Sequence, residues 1–335
     1  MNRAEGRFSR RSAVTYLVAG LAASTWLIAT AFAGAQQQTS PAQLAAEGWS
    51  AFGQGRLDDA KQLLDRAVSL DPADADYQAA LAEVDSRMGQ QADAIEHFRK
   101  AIALSPSDAE FRLDLAQILQ TENKDQEALR VLQVAHPGAG LADQWHFSRG
   151  FSLFRTGRFP EASAEFKAVV DQPGFKASAS FFLGNIAYSQ NEFEQAAQYL
   201  ATAVELGNVA TNRAYNAYTY DYGLTLMKLG RYQDAAAQFK ASIERYDRDP
   251  LPWMFLGRCD EQMGDYPAAI EMLETSIRKD PSFQLSYYEL ARLQQRHGDP
   301  QRAAELFRKI GTMKEEEITA EENRAMKLRT EARPE

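Results

Sequence analysis

Gly55-Arg56-Leu57-Asp58-Asp59-Ala60 places a helix-ending residue five positions before an alanine, and the chain returns to that frame seven more times. Gly89 with Ala94, Asn123 with Ala128, Gly157 with Ala162 and Asn191 with Ala196 follow. Gly230 with Ala235, Gly264 with Ala269 and Gly298 with Ala303 complete the series. Successive turn residues lie 34, 34, 34, 34, 39, 34 and 34 positions apart. A period held that tightly marks a repeat architecture, in which each unit buries its apolar face against the next.

Each period reads as two helices. Around Gly264, apolar and small residues recur at helical spacing before the glycine, and Tyr266, Ala269, Ile270, Leu273 and Ile277 form a second stripe after it. The turn glycine or asparagine can take a positive φ and end the first helix with little strain. The alanine sits where two helices cross closely, since a larger side chain would hold them apart. Pro72, Pro106, Pro250 and Pro281 end second helices, because proline cannot continue the hydrogen-bond ladder.

These marks resemble the tetratricopeptide repeat. Residues Trp253, Leu256, Gly257, Gly264, Tyr266, Ala269 and Pro281 carry nearly the whole signature of that family in the seventh unit. The second unit carries Leu81, Ala82, Gly89, Ala94, Phe98, Ala101 and Pro106, and the eighth Tyr287, Leu290, Ala291, Gly298, Ala303 and Phe307. The resemblance covers roughly residues 41–310, with units starting near 41, 75, 109, 143, 177, 216, 250 and 284. It implies an all-α, right-handed superhelical solenoid of about eight helical hairpins with a concave groove for peptides or partner proteins. The third unit stops early at His136-Pro137-Gly138-Ala139-Gly140, which predicts a short second helix. The five extra residues near Gly207 to Tyr215 predict a longer loop or an extended helix start, and the charged segment 311–335 a helical cap that frays.

Residues 1–35 stand apart from the array. Arg3, Arg7, Arg10 and Arg11 precede an uncharged run from Ser12 to Ala35, and a short polar linker, 36–40, follows it. This order reads as a secretory signal peptide cleaved after Ala35. Residues 13–33 are also close to the roughly 20 apolar residues that a membrane-spanning anchor needs. Both readings place the array outside the cytoplasm, periplasmic or secreted, with contact to a membrane only through that anchor. The only cysteine, Cys259, excludes both an acylated cysteine after the apolar run and an intrachain disulfide.

The net charge of −9 opposes nucleic-acid binding, which needs clustered Lys and Arg. Among His97, His136, His146 and His297, none stands at metal-ligand spacing from another or from Cys259. No nucleophile elbow, phosphate-cradling loop or dinucleotide fingerprint occurs, so neither cofactor nor catalysis is expected. Cys259 reads as a small core residue, and Tyr215, Tyr218 and Tyr222 as packing between repeats.

What remains is the groove, lined in this family by first helices. Helical counting places Phe147, Phe151 and Phe154 on that face in the fourth unit, and Phe181, Asn185 and Tyr188 in the fifth. Tyr220 and Leu224 follow in the sixth, and Arg258, Arg292 and Arg296 in the last two. Rigid aromatic anchors followed by arginines predict a peptide with apolar side chains and an acidic end. The Lys-x-x-x-Asn arrangement of chaperone-binding members is missing from that face. The expected function is a non-catalytic scaffold or assembly factor of the cell envelope, with a self-associating structural component as the alternative.

Overall fold

The computed structural model describes residues 40–133, 137–138, 140–207 and 212–331. The expected signal peptide or anchor (residues 1–35) and His136 lie outside the described residues. Sixteen α-helices and no strand occur among the described residues, the all-α repeat fold that the period implies. The chain divides into two compact units after Arg158. The first holds α1 (Pro41–Gly53), α2 (Leu57–Leu70), α3 (Ala75–Arg87), α4 (Gln91–Leu104), α5 (Ala109–Thr121), α6 (Asp125–Leu132) and α7 (Ala142–Arg155). The second opens with α8 (Phe159–Val169) and α9 (Lys176–Ser189), then α10 (Phe193–Leu206), α11 (Asn212–Lys228) and α12 (Tyr232–Arg245). It ends with α13 (Pro250–Met263), α14 (Tyr266–Lys279), α15 (Gln284–His297) and α16 (Pro300–Glu331).

Local chemistry sets the helix ends. Ser40 opens α1 with a capping box: its hydroxyl accepts from the Gln43 amide at 3.2 Å, and Gln43 Oε1 accepts from the Ser40 amide at 3.0 Å. Asp74, Asp108 and Asp249 cap α3, α5 and α13 by accepting from first-turn amides. Of the eight turn residues, Gly55, Gly89, Asn123, Gly157, Asn191, Gly230 and Gly264 adopt positive φ, between 58° and 83°. Gly298 does not; its φ is −141°. There the demand for glycine is steric, since a Cβ would lie 2.0 Å from Gln294 Oε1, the atom that accepts from the Asp299 amide at 2.9 Å.

The eight alanines of the frame are buried to 2% exposure or less. Four residues further on, Leu64, Phe98, Leu132, Phe166, Leu200, Phe239 and Leu273 are fully buried as well. Of these large side chains, Leu64, Leu200, Phe239 and Leu273 enter the gap that a glycine leaves on the preceding first helix. A Cβ on Gly184 would come 2.6 Å from Leu200 Cγ, and one on Gly223 2.7 Å from Phe239 Cζ. The eighth member of the series, Phe307, is exposed and packs only edge-on to Tyr288, with centroids 6.2 Å apart among the ring contacts described.

The irregular units have local causes. α6 is 8 residues long because Pro137 and Gly138 follow it closely, whereas α11 extends to 17 and absorbs part of the five-residue insertion. α16 runs on past Gly311 to Glu331. No described helix is long and apolar enough to cross a membrane.

Candidate functional site

In the first unit, α7 carries Phe147, Phe151 and Phe154, each half-buried. Arg155 lies over the Phe151 ring at 5.5 Å and is itself held on the far side. Its Nε meets Asp125 Oδ2 at 3.0 Å and its Nη1 donates to the Gln120 carbonyl at 3.1 Å. Gln120 in turn donates to the Ser148 carbonyl and the Ser152 hydroxyl, both at 2.8 Å. Arg155, itself partly exposed, and the buried Gln120 and Asp125 tie α7 to α5 and α6 and so aim the aromatic face.

The same register leads back along the unit. Counting 34 residues down from Phe151 gives Gln117 and then Glu83. Both line a cavity of about 760 Å³ together with Asp114, Arg87, Leu113 and Phe52. The aromatic face therefore gives way to a polar, mostly acidic one toward the start of the unit. Helical counting from the fourth unit onward does not reach these residues, although the 34-residue period extends to them.

In the second unit, α9 presents Phe181, Asn185 and Tyr188, also half-buried. Phe181 packs on Tyr218 at 4.8 Å and Tyr188 on Phe193 at 5.4 Å, so each ring has one face seated and a remainder open. Tyr218 is buried and its hydroxyl meets Ser178 Oγ at 3.2 Å, whereas Tyr215 lies under the Arg245 guanidinium at 3.7 Å. Tyr222 packs against the apolar core of the later hairpins. Asn185 bridges two helices: it donates to the Phe181 carbonyl at 3.1 Å and bonds the Asp221 carboxylate on α11. Burial pushes Asp221 up to about 6, and the Asn185 bond offsets only part of that. Tyr220 and Leu224 pack against the core around Phe239 and Phe255, with Tyr220 edge-on to Phe255 at 5.4 Å. Burial first, and then Asp221 and Asp249, raise the Tyr220 hydroxyl to about 12.

The three arginines differ from one another. Arg296 is exposed at the end of α15. Arg292 Nε donates to Glu289 Oε2 at 3.0 Å, and its Nη2 pairs with Glu261 on α13. Arg258 lies over the Phe255 ring at 5.3 Å and 3.9 Å from Glu289. Burial works against the Arg292 charge, but Glu289 and Glu261 outweigh it and raise its pKa. Two arginines thus face two buried glutamates, so α13 and α15 present a balanced ion-pair network beside the single exposed cation of Arg296. Tyr288, at the register position of Met254 and Tyr220, adds a ring that is 48% exposed.

Cys259 is fully buried in the α13 core, where burial raises its thiol to about 12 and leaves it protonated. Among the described residues, no group of three or more His, Cys, Asp or Glu side chains could hold a metal ion.

Two family models, both described as tetratricopeptide repeat, match the chain. One covers residues 45–84 and 147–211, the other 86–139 and 226–293. Together these segments make up more than half of the sequence. No curated protein matches it. Among solved structures, the anaphase-promoting complex hetero-tetramer Cut9–Hcn1 aligns at 15% identity and a TM-score of 0.55, over 77% of this chain and 49% of that one. A tetratricopeptide repeat protein from Parabacteroides merdae aligns at 11% identity and 0.54, over 76% and 98%. YrrB, described as having an unusual peptide-binding site, aligns at 22% identity and 0.47, over 58% and 97%. At these identities the first two likenesses speak to the fold alone.

Proposed function

The chain belongs to the tetratricopeptide repeat family, and from that premise we propose that it is a non-catalytic scaffold or assembly factor of the cell envelope. It captures a peptide or protein segment on the aromatic faces of its first helices. The observation that carries this reading is the half-buried aromatic rings that α7 carries in the first unit and α9 in the second. Phe181 and Tyr188 are seated on Tyr218 and Phe193, Phe151 lies under Arg155, and these three with Phe147 and Phe154 each keep part of their surface accessible. Such rings lose little entropy on binding and supply most of the affinity in interfaces of this kind. The Arg258–Glu289–Arg292–Glu261 network orients a segment through paired dipoles more than through net charge, and Arg296 provides the exposed cation for an acidic end.

Export follows from residues 1–35, whose basic start and uncharged run suit either a cleaved signal or an anchor. Mass spectrometry of the native protein separates the two: a cleaved chain begins at Gln36, and an anchored one retains residues 13–33 and stays with the membrane.

The test of the binding reading is a double variant, Phe151→Ala with Phe181→Ala. Co-purification from detergent-solubilised envelopes should lose its partner while the circular-dichroism helicity stays unchanged. Partner capture undiminished in that variant overturns the reading. A second reading, self-association, is favoured by one feature: Leu285, Tyr288 and Phe307 are exposed together on α15 and α16. A defined oligomer on sizing that dissociates in Tyr288→Ser supports it.

A further inference from the structure

Serine recurs one turn beyond the buried Phe239 and Leu273, as Ser242 and Ser276, 34 residues apart. The two are buried to 1% or less, yet their fates differ. Ser276 Oγ donates to the Pro250 carbonyl at 2.6 Å and meets Ser286 Oγ at 2.7 Å. At the position matching Ser286, the preceding unit has Pro252, which offers no hydroxyl. Ser242 Oγ is left without a partner, and so is Asn216 Oδ1 on α11. Both residues line a cavity of about 530 Å³, with Ala217, Tyr220, Leu251, Pro252, Tyr246 and Asp249 around them.

A buried hydroxyl and amide oxygen without partners each cost about 1–3 kcal/mol, so their retention beside a cavity points to a ligand that supplies the missing bonds. Its chemistry follows from the walls. Asn216 Oδ1 and the Asp249 carboxylate accept and cannot donate. Asp249 and Asp221 both hold the Tyr220 proton more tightly, so the field at that ring is negative despite Arg258. The N-terminus of α13 does not attract an anion here. Pro250 and Pro252 carry no N–H, and the Leu251 amide already donates to Asp249 Oδ1 at 2.9 Å. Of the two cations on α12, Arg245 is stacked over Tyr215, and neither Lys240 nor Arg248 in the following turn lines the cavity. Leu251, Pro252 and Tyr246 give the cavity an apolar wall suited to an alkyl stem.

We propose that this cavity is a subsite for a lysine or arginine side chain of a bound segment. Its stem lies along Leu251, Pro252 and Tyr246, and its N–H groups reach Asn216 Oδ1, Ser242 Oγ and Asp249. The proposal rests on the reading that the first helices of the second unit carry a partner segment, but its test does not. The full chain, labelled with ¹⁵N, is titrated with n-butylguanidinium chloride and, separately, with sodium butyrate. The guanidinium should shift the Ser242 and Asn216 signals saturably, and butyrate should not. Pro252→Ser gives Ser242 the partner that Ser276 has, and Ser242→Ala removes one acceptor while keeping the space. Each should weaken guanidinium binding about tenfold, as the loss of one hydrogen bond to a charged group implies. Binding of butyrate instead, no saturable shift with either probe (a cavity filled by water only), or undiminished guanidinium binding in both variants overturns the subsite. Guanidinium binding at this cavity in a chain that captures no partner would leave the subsite standing and sink the scaffold reading.

Discussion

Asp221 holds a carboxylate in a largely apolar setting, with one amide, Asn185, as its counterpart. Its pKa of about 6 lies above the ordinary carboxylate value because burial disfavours the charged form. The folded state therefore holds this proton more tightly than the unfolded chain does. The corresponding stability is complete below about pH 4 and is lost as pH rises through about 6, amounting to about 2–3 kcal/mol. Asp221→Asn keeps the shape and the acceptor for Asn185 and removes the charge. Urea unfolding should show the variant about 2 kcal/mol more stable than the parent at pH 7 and equal to it near pH 4. A variant no more stable at pH 7 would mean that the carboxylate is solvated after all. Asp221 was absent from the sequence-based site, although it neighbours Tyr220 there. Periodicity reports which face a residue occupies, not how much water reaches it. The same limit hid Glu261 and Glu289, whose pairing with Arg292 and Arg258 depends on α13 and α15 lying side by side. Three arginines on one face read as a basic stripe until their acidic neighbours are placed.

At the scale of the helix pair, the sequence was far more informative, because the packing rests on small residues at fixed spacing. Ala196 on α10 is fully buried, and Leu200 one turn later fills the space left by Gly184 on α9. Neither helix can move off without breaking the same contact in its neighbour. Ala196→Leu should therefore overpack this crossing and cost about 1–3 kcal/mol. Gln198→Leu, on the exposed side of the same helix, should change stability by less than about 0.5 kcal/mol. Chemical denaturation of the two variants against the parent decides it; equal stabilities would show that α9 and α10 do not cross closely at Ala196. Turn chemistry was legible for the same reason, with one exception. Seven turn residues take the left-handed backbone that glycine and asparagine tolerate, and Gly298 is glycine because the Gln294 side chain occupies the place of a Cβ. A one-letter frame cannot distinguish those two reasons.

At the scale of the whole molecule, the helix pairs within each unit pack mainly on their sequence neighbours, so damage should spread by nearest-neighbour interfaces and fade with distance. Phe239 is the point at which to test this. It is fully buried on α12, stacks on Phe255 of α13 at 5.5 Å, and meets Tyr220 of α11 at 6.3 Å. Phe239→Ala leaves a cavity worth about 3–5 kcal/mol. In a single cooperative block that loss would appear at every slowly exchanging amide. In a chain of coupled pairs it should appear in α11 to α14, weaken in α15, and leave α3, α4 and α5 as protected as in the parent. Hydrogen exchange read peptide by peptide makes the distinction. Protection falling equally in α3 to α5 would show that the two units unfold together. Protection lost only between Asn212 and Lys279 would show a second unit that can loosen locally, the behaviour that a scaffold admitting a partner segment at α11 and α13 requires.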